Sequence, residues 1–281
     1  MDPQLWDRVR EIDRITDDAE RAEQADALLG DYHAAWAELA RIRKEAVLNL
    51  HDGGRGLSYA QIAERLGMSR SRVGQITRSG PPPERAFLGS GNLTIAMGRK
   101  AGEGTGEPMV AVETLKAISR LTALAKTHQL DVTEDDVPPP GLVDLNRDNL
   151  IVIGGPRLFP LVGQILQSDR HLRFDTGKDG RWFLRDLDTG TEFRSPRDVG
   201  ENRDYAYLGR LPRPDGAGTF LCIAGLHAIA SQGAVAYLES SMADLYAQVK
   251  TNRFSMLIEC EYDPNTLIAT AAKAASPIYR S

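Results

Sequence analysis

The hydrophobic pattern of this 281-residue chain changes at a proline-rich segment, RSGPPPER, which spans residues 78–85. Before this segment, apolar residues recur at helical spacing, as do Leu5, Val9 and Ile12, and no strand pattern is found. After it, short apolar runs bounded by glycine and proline alternate with helical patterns. Because consecutive prolines stiffen the backbone and end a helix, the segment is predicted to connect two domains.

Two domains of different class follow from this change of pattern. We predict an all-helical domain over residues 1–80, a linker over residues 81–91 and an α/β domain over residues 92–281. In the second domain, buried-strand patterns such as NLIVI and TFLCI alternate with helical patterns such as SQGAVAYLE and MADLYAQVK. Such alternation is typical of a largely parallel sheet with helices on both faces. A polar hairpin is expected over residues 181–194.

Composition and charge are those of an ordinary soluble protein, with 42% hydrophobic and 26% charged residues and a net charge of −5. No apolar run reaches the roughly 18 residues that a membrane span needs, and the charged N-terminus lacks a signal-peptide pattern. A cytoplasmic location without membrane contact is therefore expected. The cysteines, Cys222 and Cys260, are far apart in apolar segments, which favours buried thiols over a zinc site or a disulfide. No metal site and no cofactor are predicted.

The segment LSYAQIAERLGMSRSRVGQI, residues 57–76, has the pattern of two short helices joined by a tight turn. Ser58 and Ser69 are placed to cap the two helices, and Gly67 falls at the turn, where a positive φ favours glycine. The apolar residues expected to pack the two helices together are Ile62, Leu66, Val73 and Ile76. These positions agree with a helix-turn-helix, whose second helix enters the major groove of DNA.

The exposed face of the second helix carries residue types that read duplex DNA. Residues 55–78 hold five arginines against Glu64 alone, a local charge of +4 in a chain that is acidic overall. Arginine pairs with guanine edges and glutamine with adenine edges, and both also hold phosphates. The predicted DNA-binding residues are Ser69, Arg70, Ser71, Arg72, Gln75 and Arg78. The alternative is a helical hairpin within a bundle that does not contact DNA.

These 20 residues resemble the helix-turn-helix of sigma-factor region 4 and of many bacterial regulators. The preceding segment, AWAELARIRKEAVLNL, resembles the supporting helix that often comes before this motif. The other regions of a sigma factor are not recognisable in the chain. The resemblance therefore implies binding to double-stranded DNA without implying promoter melting.

Two glycine-containing corners in the second domain each follow a buried strand and lead into a helix. The first corner, residues 154–157, follows LIVI, and the second corner, residues 224–227, follows TFLCI. Parallel strands would bring both corners to one edge of the sheet, where open α/β sheets bind ligands. The predicted ligand-binding residues are Gly154, Gly155, Pro156, Arg157, Gly225, His227 and Ser231.

The expected ligand is a small anion, with a nucleotide as one candidate. Helix starts favour negative groups, and Arg157 adds a fixed positive charge. Gly155 is expected to allow close approach of the ligand, and a valine there is expected to force a strained φ. Two alternatives to ligand binding remain: residues 154–155 form only a tight turn, and His227 has a purely structural role. No Walker loop, GxGxxG, GxSxG or HExxH motif is present, so no catalytic residue is predicted.

Four further segments extend the resemblance over nearly the whole chain. They are GPPPERAFLG, VDLNRDNLIVIGGPR, DYAYLGRLPRPDGAGTF and IAGLHAIASQGAVAYL. With the helix-turn-helix, they resemble a group of bacterial regulators that carry a Rossmann-like C-terminal domain. The resemblance implies this architecture and does not identify a ligand.

Three functions are compatible with these patterns. The first is a transcriptional regulator whose α/β domain senses the small anion. The second is a nucleotide- or sugar-processing enzyme with a DNA-binding arm, which would use His227 and Ser231, and the third is a scaffold with an empty α/β domain. The absence of a recognised catalytic motif favours the first.

A homodimer is expected, because one helix-turn-helix makes few contacts with DNA and two can read a palindrome. The first helix has an apolar stripe that must be buried somewhere, formed by Leu5, Trp6, Val9 and Ile12. This stripe or the sheet domain is expected to supply the dimer interface.

Overall fold

The computed structural model describes residues 3–52, 56–102 and 107–280. The chain divides into two compact units, Met1–Pro83 and Glu84–Ser281. The first unit is helical and contains the helix-turn-helix, and the second is an α/β unit built on a central sheet. The predicted fold class is confirmed.

The described part of the first unit consists of four helices. They are α1 (Pro3–Asp13), α2 (Asp18–Asp52), α3 (Tyr59–Leu66) and α4 (Arg70–Arg78). The C-terminal part of α2 packs against α3 and α4, the two helices of the helix-turn-helix, and Val47 from α2 is almost fully buried. The core that these three helices share consists of Val47, Ile62, Ala63, Val73 and Ile76.

Local capping explains where α3 and α4 begin. The Ser58 hydroxyl accepts a hydrogen bond from the Gln61 amide, and the Gln61 side chain accepts one from the Ser58 amide, which completes a capping box. Gly67 ends α3 with φ 63°, as its predicted place in the turn requires. The prediction that Leu66 packs between the helices is wrong, since 42% of this residue is exposed. Because α3 ends at Leu66, the packing position passes to Met68, which contacts the core after the turn.

The helix α1 contacts the N-terminal part of α2. In the apolar stripe of α1, Leu5 and Ile12 are half-buried, whereas Trp6 and Val9 are exposed. The stripe that sequence analysis offers as a dimer interface is thus partly used within the chain.

The described part of the second unit contains a central eight-stranded sheet, a three-stranded sheet, a two-stranded sheet formed by the second and third strands, and three α-helices. Its first elements are β1 (Asn92–Gly98), β2 (Lys100–Ala101), β3 (Pro108–Met109), α5 (Val112–Thr127), β4 (Asp131–Val137), β5 (Leu150–Ile153), α6 (Pro160–Leu166) and β6 (Leu172–Thr176). They are followed by β7 (Trp182–Asp186), β8 (Glu192–Arg194), β9 (Arg203–Pro212), β10 (Thr219–Gly225), α7 (Ala228–Val249), β11 (Phe254–Asp263), β12 (Ile268–Ala274) and β13 (Tyr279–Arg280). The predicted hairpin is β7–β8, and the two helices predicted after β10 are the single helix α7.

The central sheet is parallel in one half and antiparallel in the other. Its order is β12-β11-β9-β10-β5-β1-β4, with β13 also paired to β11. The strands β10, β5, β1 and β4 are parallel to one another, as predicted. The strands β9, β11 and β12 are antiparallel, which periodicity alone does not reveal. A six-residue connection over residues 213–218 joins β9 to β10, and it is too short for a parallel crossover.

Each face of the central sheet has its own cover. Ile151 and Ile153 of β5 belong to the core beneath α5 and α7. Leu150 and Val152, which alternate with them, belong to the opposite core beneath α6. The small antiparallel sheet β6-β7-β8 joins α6 on that face through Leu172 and Leu184, so this cover is only partly helical.

Part of the predicted linker is built into the second unit. Residues 83–87 form a short 3-10 helix, and Phe87 and Leu88 are buried in the core beneath α5 and α7. The Phe87 ring lies 5.6 Å from the Phe254 ring, between centroids. The buried guanidinium of Arg210 donates a hydrogen bond to the Phe87 carbonyl oxygen.

The described residues contain neither a helix that could span a membrane nor a cluster of metal-binding side chains. None of their helices is long and apolar enough to cross a membrane. None of their histidine, cysteine and acidic side chains gather in threes in a way that could hold a metal ion.

Candidate DNA-reading helix and sheet-edge cavity

The helix α4 presents an exposed polar face. Arg70, Ser71, Arg72, Gln75 and Arg78 are all exposed, as their predicted role requires. The Arg72 guanidinium donates a hydrogen bond to the Gln75 side-chain oxygen at 2.6 Å, so both side chains must exchange partners if they bind DNA. Arg55, which contributes to the local charge, lies outside the described residues.

Ser69 has a structural role at the start of α4. Its hydroxyl oxygen accepts a hydrogen bond from the Arg72 amide at 3.1 Å, which is the N-cap contact. Gly74 is buried, and a Cβ there would lie 3.5 Å from the Arg78 guanidinium nitrogen. Gly74 is therefore covered by Arg78.

A cavity of about 400 Å³ lies at the edge of the central sheet where β1, β5 and β10 end. We call it the sheet-edge cavity. Ile153 pairs with Ile223 in the parallel ladder, so the corners that follow β5 and β10 lie side by side. All seven predicted ligand-site residues line the cavity: Gly154, Gly155, Pro156, Arg157, Gly225, His227 and Ser231. Its volume falls within the roughly 300–1,000 Å³ of small-molecule sites.

The conformation that requires glycine in the first corner is at Gly154. Its φ is 148°, and a Cβ there would lie 2.7 Å from an edge carbon of the Phe159 ring. Its amide donates to the Ile223 carbonyl oxygen at 2.9 Å, which joins the two corners. Gly155 has no such φ, and its Cβ would lie 3.5 Å from Ala224, an ordinary contact. The strained position expected at Gly155 is thus one residue earlier.

The second corner turns so tightly that Gly225 has no room for a side chain. A Cβ at Gly225 would lie 2.2 Å from the His227 carbonyl oxygen and 2.7 Å from the Ser231 amide nitrogen. The Gly225 amide donates a hydrogen bond to the Ser231 hydroxyl at 3.0 Å. Ser231, which is 4% exposed, therefore stabilises the corner at the base of α7.

His227 is bound between two carboxylates. Its Nδ1 lies 3.2 Å from Asp204, and its Nε2 lies 3.2 Å from Asp198. The fully buried Asp204 also accepts the His227 amide hydrogen bond at 3.1 Å. The Ser195 hydroxyl is a further neighbour of Nδ1, at 3.2 Å. Both ring nitrogens have acidic partners, which suits a structural histidine that fixes the start of α7 and makes a poor general base.

Arg157 connects the two corners. Its guanidinium donates a hydrogen bond to the Leu226 carbonyl oxygen at 2.6 Å. A guanidinium has five N–H donors in a fixed plane, so this contact orients the group and leaves donors for an anion.

Further side chains of the sheet-edge cavity are not identified by the sequence analysis. Lys100 comes from the segment after β1, Glu113 from the first turn of α5, and Arg197 from a 3-10 helix at residues 196–199. Arg197 and Glu113 form an ion pair at 3.7 Å. Phe174 and Trp182, from β6 and β7, add an aromatic wall. No local motif marks them, because separate elements bring them together.

Comparison with known proteins identifies one part of the chain. Residues 43–80 match the family model of Sigma-70, region 4, a stretch that runs from the C-terminal part of α2 through α4. No curated protein and no solved structure matches the chain. The match and the observed geometry agree that this region is a helix-turn-helix DNA-binding domain.

Proposed function

We propose that the protein is a transcriptional regulator that binds DNA as a homodimer and senses a small anionic ligand, of the nucleotide class, in the sheet-edge cavity. The observation that carries the sensing role is the convergence of two glycine corners on one cavity, within a chain that also contains a DNA-reading domain. A regulator needs both parts, because the ligand acts only if it favours one arrangement of the DNA-reading helices over another.

The charges of the sheet-edge cavity favour an anion. The charged side chains that line the cavity are Lys100, Arg157 and Arg197, with three positive charges, and Glu113, with one negative charge, a net charge of +2. The 22-residue helix α7 starts at the cavity without a side-chain N-cap, and the positive end of its dipole adds to the attraction. A phosphate or carboxylate group would therefore bind near Arg157.

The aromatic wall favours a ligand with a planar, uncharged part. The ring centroids of Phe174 and Trp182 are 6.4 Å apart in an edge-on arrangement, and both side chains are half-buried. Stacking on such rings stabilises a nucleobase. A cationic end and an aromatic wall in one cavity match the two parts of a nucleotide.

The enzyme alternative would use His227 and Ser231, and their hydrogen bonds speak against it. The Ser231 hydroxyl accepts from Gly225, and both nitrogens of His227 face carboxylates. A serine nucleophile needs an adjacent free base, and this pair does not offer one. These hydrogen bonds therefore favour a ligand sensor over an enzyme.

The test is nucleotide binding to the full chain, with inorganic phosphate as the second probe. Titration calorimetry with AMP, ADP and phosphate should give saturable binding, weakened at least about tenfold by Arg157→Ala, which corresponds to about 1.4 kcal/mol. Arg170→Ala, at an exposed arginine that does not line the cavity, is the control. Recovery of the nucleotide unchanged after incubation supports a sensor, and conversion supports the enzyme. If neither AMP, ADP nor phosphate binds, the proposed ligand class is contradicted.

A further inference from the structure

The helix α2 carries a row of large apolar side chains that face solvent. Leu29, Tyr32, Trp36, Leu39 and Ile42, here called the α2 stripe, are between 44% and 68% exposed. Trp36 and Leu39 are the most exposed of them. A contiguous apolar row on a solvent-facing helix marks an interaction surface.

The spacing of the α2 stripe is that of a coiled-coil seam. Leu29, Tyr32, Trp36 and Leu39 follow each other at intervals of three, four and three residues, which are the a and d positions of a heptad. Continued in both directions, the same positions hold Ala22, Ala25, Arg43 and Ala46. The exposed part of the seam runs from Leu29 to Ala46, whereas Ala25 is half-buried on the part of α2 that α1 contacts.

We infer that the α2 stripe pairs antiparallel with the α2 stripe of a second copy of this chain. This inference rests on the homodimer proposed above and specifies its interface. In one register every a position faces a d position of the second copy: Leu29 lies across from Leu39, and Tyr32 across from Trp36. Aromatic residues then occupy the centre of the interface, where they stabilise protein contacts most.

The charges along α2 select the antiparallel orientation. Residues 18–31 contain five acids and one arginine, a net charge of −4. Residues 37–50, which they would face, contain three bases and two acids, a net charge of +1. In this register Arg43 lies across from Ala25 and beside Asp26. A parallel pair would instead place Arg43 against Arg43 in the seam and the acidic segment against itself, which is repulsive.

The same register gives the spacing that DNA requires. The two-fold axis would pass level with residue 34, and Val47, which anchors the helix-turn-helix core, lies thirteen residues further along α2. At a rise of about 1.5 Å per residue, the two copies of Val47 are about 39 Å apart along the helix axis. Successive major-groove faces of DNA are about 34–36 Å apart. The pairing therefore places the two helix-turn-helix cores at a separation, measured along α2, close to one turn of DNA.

The first test is the mass of the full chain by light scattering at about 10–50 μM. The native protein should have twice the 30.8 kDa of one chain, and Trp36→Glu with Leu39→Glu should reduce the mass to that of one chain. Ala27→Glu, at an exposed position on the other side of α2, should leave the dimer intact. Circular dichroism should confirm that each variant is folded. A monomeric native protein, or a dimeric double variant, would overturn the proposed interface.

The second test determines the orientation by disulfide formation. In the antiparallel register the two copies of position 29 are about 15 Å apart along the axis, too far for a disulfide, whereas positions 29 and 39 are adjacent. Leu29→Cys alone and Leu39→Cys alone should therefore stay uncrosslinked, and an equimolar mixture should form the heterodimeric disulfide. Crosslinking of either single variant, or none in the mixture, would overturn the register. The native cysteines do not interfere, because they are buried.

DNA binding separates this inference from the proposed function. An electrophoretic shift by the monomeric double variant, together with a monomeric native protein, would overturn the α2 pairing and retain the DNA-binding role. A native dimer that gives the predicted disulfide and binds no DNA would support the pairing and contradict the regulator.

Discussion

The Arg157 guanidinium donates a hydrogen bond of 2.6 Å to the Leu226 carbonyl oxygen, and so bridges the two corners that end β5 and β10. The two residues are 69 positions apart in the chain. The contact places a fixed cation at the sheet-edge cavity in a defined orientation.

Arg157→Ala should remove this bridge with little effect on folding. The side chain is exposed, so loss of one hydrogen bond should lower the free energy of unfolding by no more than about 1 kcal/mol. Urea unfolding measures this, with Arg170→Ala as the control. A loss of several kcal/mol would show that the bridge is structural and would weaken the proposed role of Arg157 in anion binding.

Gly225→Ala and Gly155→Ala should differ sharply in stability. The alanine Cβ at position 225 would lie 2.2 Å from a backbone carbonyl oxygen, and that at position 155 would make an ordinary contact at 3.5 Å. We expect a loss of about 3 kcal/mol or more for Gly225→Ala and less than about 1 kcal/mol for Gly155→Ala. Urea unfolding of both variants compares them directly. Equal losses would contradict the geometry of the second corner.

Arg70→Ala and Gln75→Ala should weaken specific DNA binding by about 1–3 kcal/mol for each base contact removed. Both side chains lie on the exposed face of α4, whereas Ser69 is engaged as a cap. Fluorescence anisotropy on the promoter region of the protein's own gene, at two salt concentrations, distinguishes base contacts from phosphate contacts. Arg65→Ala, on α3, tests whether any nearby arginine has the same effect. If a variant with both Arg70→Ala and Gln75→Ala binds DNA as tightly as the native protein, this face of α4 is not the DNA-reading surface.

Both cysteines should resist thiol reagents in the folded protein. Burial raises the pKa of the Cys222 and Cys260 thiols to about 12. At pH 8 nearly all of each thiol is protonated and shielded, and the thiolate is the reactive form. Ellman's reagent should therefore detect almost no thiol in the native protein and two per chain in denaturant. Rapid labelling of the native protein would show that one of the strands β10 and β11 opens.

Tyr279→Phe should destabilise the protein at neutral pH and lose its effect in acid. Burial alone would raise the pKa of Asp186, but hydrogen bonds from Tyr279, at 2.5 Å, and from the amides of Asp188 and Thr189 lower it below 3.8. A lowered folded pKa stabilises the protein above the unfolded pKa, and this contribution disappears as the pH falls through the folded pKa.

The stability difference between native protein and Tyr279→Phe should be about 1 kcal/mol at pH 7 and should shrink below about pH 4. Urea unfolding at several pH values measures it, with Tyr237→Phe, on the opposite face of the sheet, as the control. A difference that stays constant down to pH 2 would contradict the coupling to Asp186.

Short-range signals in the sequence were enough for the helix-turn-helix and for the location of the sheet-edge cavity. Caps at Ser58 and Ser69 and the positive φ at Gly67 involve residues within one turn of each other, so the sequence pattern alone predicts them. The apolar runs LIVI and TFLCI, which come before the two corners, predict buried strands. The general rule for parallel strands then places both corners at one edge of the sheet, as the pairing of Ile153 with Ile223 confirms.

Only the tertiary structure decided which side chains are engaged and which are exposed. The acidic partners of His227 come from residues 23 and 29 positions before it, and Lys100, Glu113 and Arg197 reach the cavity from separate elements. The tertiary structure also decided the antiparallel half of the sheet and the exposure of Leu66 and of the α2 stripe. Periodicity shows that a side chain is apolar and on one face, whereas its burial depends on which distant element packs there, and the topology of the whole chain determines that.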